Sequence, residues 1–407
     1  MLCVLAVSAC ASFQPKPIEE VGFLDRAETQ HNGNLKVTVA VPSIPEGNAL
    51  FGAPIGKKGI QPVWLKIENN DPVNYWLFPI FIDPDYYSPY EAAWKNHFFM
   101  SATANEKMDA YFNDQTVPLY VPPGETVEGF IYTNLDEGTK QVLVELIGPE
   151  EAKTFIFYIA VPGIKPDHQE VDWYALYAQG DIVDYHDEDE LRVALEALPC
   201  CTMNKDGTAE GDPLNFVVIT TPDALGPTFL RRGWQETETT HAKSAWRTVK
   251  SFLLGSKYRY SPISPLYIYE RGQDIALQKA RDTIHERNHL RLWITPMRFQ
   301  GMNVWVGQIS RDIGVRFTTK SPTFTTHKID PDIDEARAYL IQDLLLSQHV
   351  AKFGMVRGFD AVSRDAPREN LTGDPWFTDG LLAVFVLSED SVAADDIAFY
   401  EWEAPRL

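Results

Sequence analysis

From about residue 35 the chain alternates apolar and polar positions with period two. Val63, Leu65 and Ile67 interleave with Trp64, Lys66 and Glu68, and short apolar runs follow at 75–80, 127–132, 142–146 and 155–161. Turn-forming groups, Asn69-Asn70-Asp71-Pro72 and Pro122-Pro123-Gly124-Glu125, separate several of these runs. Half-buried strands joined by such turns predict an antiparallel sandwich over 21–163. In the stretch 164–212, read as a connector, the acidic string DYHDEDE precedes a helix carrying Leu191, Ala194, Leu195 and Leu198 on one face. Acids at a helix N-terminus are favoured by the macrodipole, which is explanation enough for that charge run.

The second half, 213–407, mixes element types. Strands are expected at 216–219, 266–269, 290–295, 304–309, 315–318 and 381–387. Thr221 and Pro222 suit a helix start, with Gly226-Pro227 either interrupting that helix or opening it. Trp246, Val249, Phe252 and Leu253 mark a helix that Gly255 can end, and another spans 331–348 with Asp330 as its cap and Pro331 in its first turn. The class is mixed α/β or α+β. The PPGE turn leading into an aromatic strand resembles an immunoglobulin-like accessory domain, without the Cys…Trp…Cys pattern of true immunoglobulin domains. Such a sandwich is a platform for interaction and carries no chemistry of its own. Its aromatic insertion, DPDYYSPYEAAWKNHFF at 83–99, is long for a hairpin loop; it serves either as a binding loop or as packing across the sandwich edge.

Charge divides the chain unevenly. The net value is −21 over 407 residues, with residues 1–212 carrying −20 (13 basic, 33 acidic) and residues 213–407 carrying −1 (23 basic, 24 acidic). A general nucleic-acid binder is excluded, because duplex affinity comes mainly from neutralising phosphates. Within the second half, 231–328 holds 17 basic and 7 acidic residues, a local +10 able to attract an anion or simply to form a solvated face.

Residues 1–20 read as a lipoprotein signal and tether. The short apolar run MLCVLAV ends in Val7-Ser8-Ala9-Cys10, and no second hydrophobic stretch of about 18 residues follows. The tetrad resembles the lipobox of bacterial lipoproteins, in which the cysteine is acylated; no Lys or Arg precedes it, which departs from that pattern. The resemblance implies a protein anchored through Cys10 and facing the periplasm in a bacterial cell envelope. Cys200 and Cys201 are adjacent, hence either a vicinal bridge or two small buried hydrophobes, the second being the preferred reading.

The sharpest motif is His285-Glu286-Arg287-Asn288-His289, a literal HExxH. On a helix it would present two imidazoles to zinc. The strand-like LRLWITP that follows argues for a chance match at an element boundary. His327, beside Asp330, Asp332, Asp334 and Glu335, is a second candidate for ligation or proton transfer. No GxSxG, Walker or GxGxxG string supports the usual hydrolase and nucleotide-binding routes. A site would therefore have to be assembled from separate strands.

The strings LNFVVITTPDAL with RRGW, SPISPLYIYERGQDIALQKA, RNHLRLW, VWVGQISRDIGVRF, THKIDPDIDEARAYLIQDLL and GDPWFTDG together make residues of about 180–395 resemble the LssY C-terminal domain family. The resemblance implies an envelope setting and a set of polar positions, His289, Arg291, Arg311, Asp312, His327, Asp330, Asp334 and Asp379, with no assigned reaction. Two functions follow as expectations. One is an uncharacterised envelope lipoprotein whose sandwich meets other envelope proteins while the LssY-like domain binds an anionic ligand, with no cofactor required. The other is a metal-assisted hydrolase of phosphoesters, with His289, His327 and Asp334 as ligands if there is a metal.

Overall fold

The computed structural model describes residues 13–99, 101–136, 139–161, 176–178, 180–236, 265–280, 286–317 and 325–404. The helix expected around Trp246 lies outside them. Two compact units divide the chain at Ile164 and Lys165. Among the described residues no helix is long and apolar enough to cross a membrane.

The first unit is built on two four-stranded sheets. One has the order β1 (Glu28–Asn32), β2 (Leu35–Ala40), β3 (Ile60–Asn69), β6 (Thr126–Asn134); the other runs β5 (Tyr120–Val121), β4 (Tyr75–Leu77), β7 (Thr139–Ile147), β8 (Ala152–Ala160). Every pairing within them is antiparallel. The alternation read from the sequence fills the space between the sheets: Val37, Leu65 and Ile131 from one meet Leu77, Val144 and Phe157 from the other. The run at 75–80 stops being a strand after Leu77, because Pro79 lacks an N–H for the ladder and instead starts the short helix α2 (Pro79–Ile82).

A third layer covers the outer side of the first sheet. Helices α1 (Ile44–Leu50), α3 (Pro89–Trp94) and α4 (Ala102–Asp114) set Leu50, Ala92, Ala93, Met108 and Phe112 against Trp64, Phe130 and Tyr132. The insertion at 83–99 thus contributes α3 to this layer. Residues 13–20, expected within a tether, also belong to it together with 21–26: Ile18 packs against the layer, Phe23 is fully buried, and the Phe13 ring meets Tyr111 edge-on at 5.7 Å.

The second unit is organised around a long mixed sheet in the order β13 (Gln235–Glu236), β16 (Ile275–Ala280), β17 (Glu286–Phe299), β18 (Met302–Phe317), β12 (Phe216–Thr220), β23 (Leu381–Leu387), β20 (Val350–Arg357), β24 (Ala398–Phe399), with β9 (Val183–Tyr185) on β17 and β19 (Thr325–Ile329) on β18. β12 and β23, both apolar on their two faces, pair in parallel at its centre. Helices α6 (Pro222–Leu230) and α7 (Ile333–Leu345) cover one face through Leu225, Phe229, Leu340 and Leu344. Helix α5 (Glu188–Glu196) covers the other with Leu191 and Leu195. The acidic helix of 164–212 is therefore part of this unit, its first turn capped by Asp187.

Two local findings correct the sequence reading. α6 starts at Pro222 and passes through Gly226-Pro227 unbroken, since a proline six positions inside so short a helix forfeits only one hydrogen bond. The cap of α7 is Asp332, whose carboxylate accepts from the Asp334 N–H, while Asp330 accepts from the Asp332 N–H one step earlier. Gly307, opposite Phe216, has its missing side chain replaced by the Phe216 ring: a Cβ there would fall on that ring.

A small sheet, β11 (Glu210–Pro213), β10 (Cys201–Met203), β14 (Tyr267–Ile268), β15 (Arg271–Gly272), completes the described part of the unit with the hairpin β21 (Arg368–Glu369) and β22 (Pro375–Trp376). At the start of β10, Cys200 and Cys201 are disulfide-bonded to each other. The preference for two free thiols is corrected; Cys201 is nonetheless buried, among Ile333, Val362 and Trp376.

Candidate functional site

Strands β16 to β18 place residues in rows across the sheet. His289 stands between Gln278 and Ser310, Arg287 between Ala280 and Asp312, Arg291 between Ala276 and Gln308. Side chains alternate between faces, so Arg287, His289, Arg291 and Trp293 share the face that α5 covers further along. Apolar residues line that face near α5, with Trp293 beside Val304 and Val306. Two residues on, Trp293 gives way to Arg291, His289 and Arg287, and Val306 to Gln308, Ser310 and Asp312. The period-two pattern is intact, but its polar half is buried: Arg287, His289, Arg291 and Asp312 are all 5% exposed or less.

Burying this much polarity requires mutual satisfaction. Arg287 donates through Nε to Asp312 Oδ2 at 2.9 Å and through Nη1 to Gln278 Oε1. Arg291 donates to Gln308 Oε1 at 2.6 Å, and Gln308 donates on to Ser310. His289 Nδ1 lies 3.5 Å from Asp312 Oδ1. A register shift after Asp312 sets His327 opposite Val315, and this brings His327 Nδ1 to 3.5 Å from Asp312 Oδ2. One carboxylate thus faces an arginine and two imidazoles.

The electrostatics follow from burial and these neighbours. Burial alone would raise the Asp312 carboxyl, but His289, His327 and Arg287 together hold it well below the usual carboxylate range. Burial pushes the His289 imidazole down, against the opposing pull of Asp312. Arg291 is lowered by burial to about 10, with Asp212 and Asp312 resisting, and so keeps its charge at neutral pH. Of the cluster around Asp312, His327 is the member that reaches the surface: its side chain is 23% exposed, against 6% for His289 and 1% for Asp312. Next to it, Lys328 pairs with the buried Asp374 at 2.9 Å.

Of the residues expected from the sequence, the structure brings together His289, Arg291, Asp312 and His327. Arg311 points to the opposite face, where it donates to Asn288 and lies 5.5 Å from the Tyr339 ring of α7. Asp334 and Asp379 belong to a separate network. Arg337, buried in α7, grips both oxygens of Asp379 at 2.9 Å and lies 3.2 Å from Asp334, which also accepts from Thr378 and the Asp379 N–H. Burial raises the Asp334 carboxyl despite Arg337. This network ties the start of α7 to the start of β23. Asp334 therefore does not join the two histidines, and among the described residues no three His, Cys, Asp or Glu side chains gather as a metal set.

His285 lies outside the described residues, while Glu286 to His289 lie on β17. Those four residues are extended, so the string is not carried on one continuous helix as a zinc-binding HExxH requires. Sequence reasoning missed Arg287, Gln278, Gln308 and Ser310. For all but Gln278 the signal was present as the alternating strings Arg287-x-His289-x-Arg291 and Gln308-x-Ser310-x-Asp312. Also missed was Asp343 of α7, buried and held by Arg232, Trp234 and Lys279.

The family model of the LssY C-terminus matches residues 195–382. The match begins at the end of α5, ends at the start of β23 and contains the whole polar row, so the second unit carries an LssY-like domain. No curated protein matches the chain.

Proposed function

We propose that the second unit is an anion-binding domain of a lipid-anchored envelope protein, and that its ligand bears phosphate and is met first by His327. The observation carrying this reading is the gradient of exposure along the polar row, from a partly exposed imidazole to buried Arg287 and Arg291. An anion beside His327 would be held by groups already oriented and screened from water, where each contact is worth more than at a surface. The Val7-Ser8-Ala9-Cys10 tetrad supports acylation at Cys10, and the first unit then serves contacts with other envelope proteins.

Calorimetric titration of the chain with inorganic phosphate and pyrophosphate tests the ligand class. Binding that His327→Ala weakens at least about tenfold supports it; absence of heat with both probes overturns it. For the anchor, Cys10→Ala is expected to release the protein from membranes, and unchanged retention refutes acylation there.

A second reading has its own observation. Asp312 facing the Nδ1 atoms of two histidines is the arrangement that orients an imidazole for proton transfer through Nε2. It supports a hydrolase acting on phosphoesters with His327 as acid–base and Asp312 as positioning residue. Turnover of a chromogenic phosphoester, lost in His327→Ala and absent from a mock preparation, distinguishes this from binding alone.

A further inference from the structure

The first unit carries large apolar side chains that its own core leaves outside. α3 buries Ala92 and Ala93 and turns Tyr90 and Trp94, four residues apart, outward. Trp94 is 72% exposed, Tyr90 59% and Phe99 93%. These positions are held, not loose. Asn105 of α4 accepts from the Phe98 N–H at 2.8 Å and donates to the Phe98 carbonyl at 3.0 Å. His97, whose ring centroid is 4.9 Å from that of Trp94 with the planes tilted, lies 2.7 Å from Asp109. With Phe98 packed into the helical layer, Phe99 is aimed at solvent.

The chain enters this same layer almost directly after Cys10. Phe13 meets Tyr111 in the layer against which Phe98 also packs, and the Lys16 N–H donates to the Ala49 carbonyl at 2.9 Å. Gly52, at φ +55°, lets the Gln14 backbone pass so close that a Cβ would sit 2.7 Å from its carbonyl carbon. Only Ala11 and Ser12 separate Cys10 from Phe13. Three residue steps span at most about 11 Å. A unit of about 150 residues has a radius of gyration of roughly 15 Å, so a tether this short holds its helical layer against whatever Cys10 is attached to.

We infer that Tyr90, Trp94 and Phe99 form a membrane-docking face, seated in the interfacial zone of the bilayer that holds the acyl chain. This rests on the acylation of Cys10 proposed above. Trp and Tyr are the residues that favour the headgroup boundary. The attraction is apolar: residues 13–161 hold 10 basic and 20 acidic side chains, net −10, so anionic lipid would repel the unit.

The test uses the full chain purified from membranes and returned to phosphatidylcholine vesicles containing lipid brominated in the upper acyl chain. Mass analysis of the N-terminal peptide reports acylation independently. The expected result is fluorescence quenching that Trp94→Phe diminishes and Trp76→Phe, removing a half-exposed Trp on the other sheet, does not. In the unacylated Cys10→Ala chain, Trp94→Ser with Phe99→Ser should lower vesicle partitioning by about tenfold or more, with unchanged circular dichroism. Acylated protein whose Trp94 is not quenched overturns the docking face. Unmodified Cys10 with Trp94 still quenched removes the anchor but keeps the face, and loss of both overturns the two together.

Discussion

His289 and His327 address different oxygens of the same carboxylate: His289 Nδ1 lies 3.5 Å from Asp312 Oδ1, and His327 Nδ1 lies 3.5 Å from Asp312 Oδ2. Arg287 adds a hydrogen bond to Oδ2, so Asp312 is the charge on which three side chains from β17 and β19 converge.

Replacing that charge has a sharp consequence. Asp312→Asn keeps the shape but removes the anion facing buried Arg287, and breaking a buried pair from one side typically costs about 3–5 kcal/mol. We expect the second unit of Asp312→Asn to unfold at markedly lower urea concentration, with the first unit unchanged. Hydrogen exchange of the β17 and β18 amides reads the second unit separately. Protection equal to the parent protein in those strands would refute the assignment of Asp312 as the centre of the row.

Acid should destabilise the same unit in two stages. His289 and His349 are both depressed, chiefly by burial, so the unfolded chain takes up protons first and stability falls as pH drops below about 6.5. Each such group contributes a slope of at most about 1.4 kcal/mol per pH unit until its folded value is reached. Asp312 is depressed as well; its contribution is complete above about pH 4 and is lost as pH falls towards its folded value. Melting temperature against pH should therefore decline from about 6.5 and steepen below 4. His289→Gln should flatten the first stage by about half, and an unaltered slope would show that His289 does not titrate on unfolding.

The sandwich core was legible because one face of each strand is apolar and the other is not, as with Val63, Leu65 and Ile67 on β3. The helical layer was not, since α4 buries only Met108 and Phe112 among mostly polar residues. Sequence pattern also split β18 into 304–309 and 315–318, because Ser310, Arg311 and Asp312 interrupt the apolar run. They are instead the middle of one strand, Met302–Phe317, whose polar side faces a buried network. Half the candidate site was visible as His289, Arg291, Asp312 and His327. Arg311, Asp334 and Asp379 looked equivalent in sequence, and only the alternation of β18 and the grip of Arg337 separate them from the row.

Arg337 offers a test of that separation. Arg337→Ala leaves Asp334 and Asp379 facing each other without their cation, and a loss of about 3–5 kcal/mol is expected. Arg337→Lys should recover only part of it, because an ammonium cannot hold both oxygens of Asp379 in the bidentate geometry. Neither variant should change phosphate affinity at temperatures where the protein remains folded. A change there would place Asp334 and Asp379 in the ligand site after all.

The bridge between Cys200 and Cys201 closes a ring of two residues, so it restrains the unfolded chain little. The chain-entropy argument gives about 1 kcal/mol for so short a loop. Changing both residues to Ala should cost that amount plus the contacts of the buried Cys201 side chain with Ile333, Val362 and Trp376, about 1–2 kcal/mol together. Peptide mapping under non-reducing conditions should find the two thiols unreactive and the peptide two mass units lighter than its reduced form. Free, alkylatable thiols in the native protein would contradict the bond.

Gly52 tests how firmly the N-terminal segment is seated. Its positive φ and the 2.7 Å approach of the Gln14 backbone both exclude a side chain, so Gly52→Ala must displace either the turn after α1 or residues 13–16. The turn is tied to the core through Phe51, which packs on Phe112, Phe130 and Tyr132. The segment is the weaker partner, held by the Phe13–Tyr111 contact and the Lys16–Ala49 hydrogen bond. We therefore expect Gly52→Ala to leave the sandwich folded, while hydrogen exchange of the Lys16 amide, bonded to the Ala49 carbonyl, becomes faster by about tenfold or more, as opening of this segment becomes easier. Exchange of that amide at the parental rate, with the fold intact, would mean that residues 13–16 can rest elsewhere and that the first unit is not held close to Cys10.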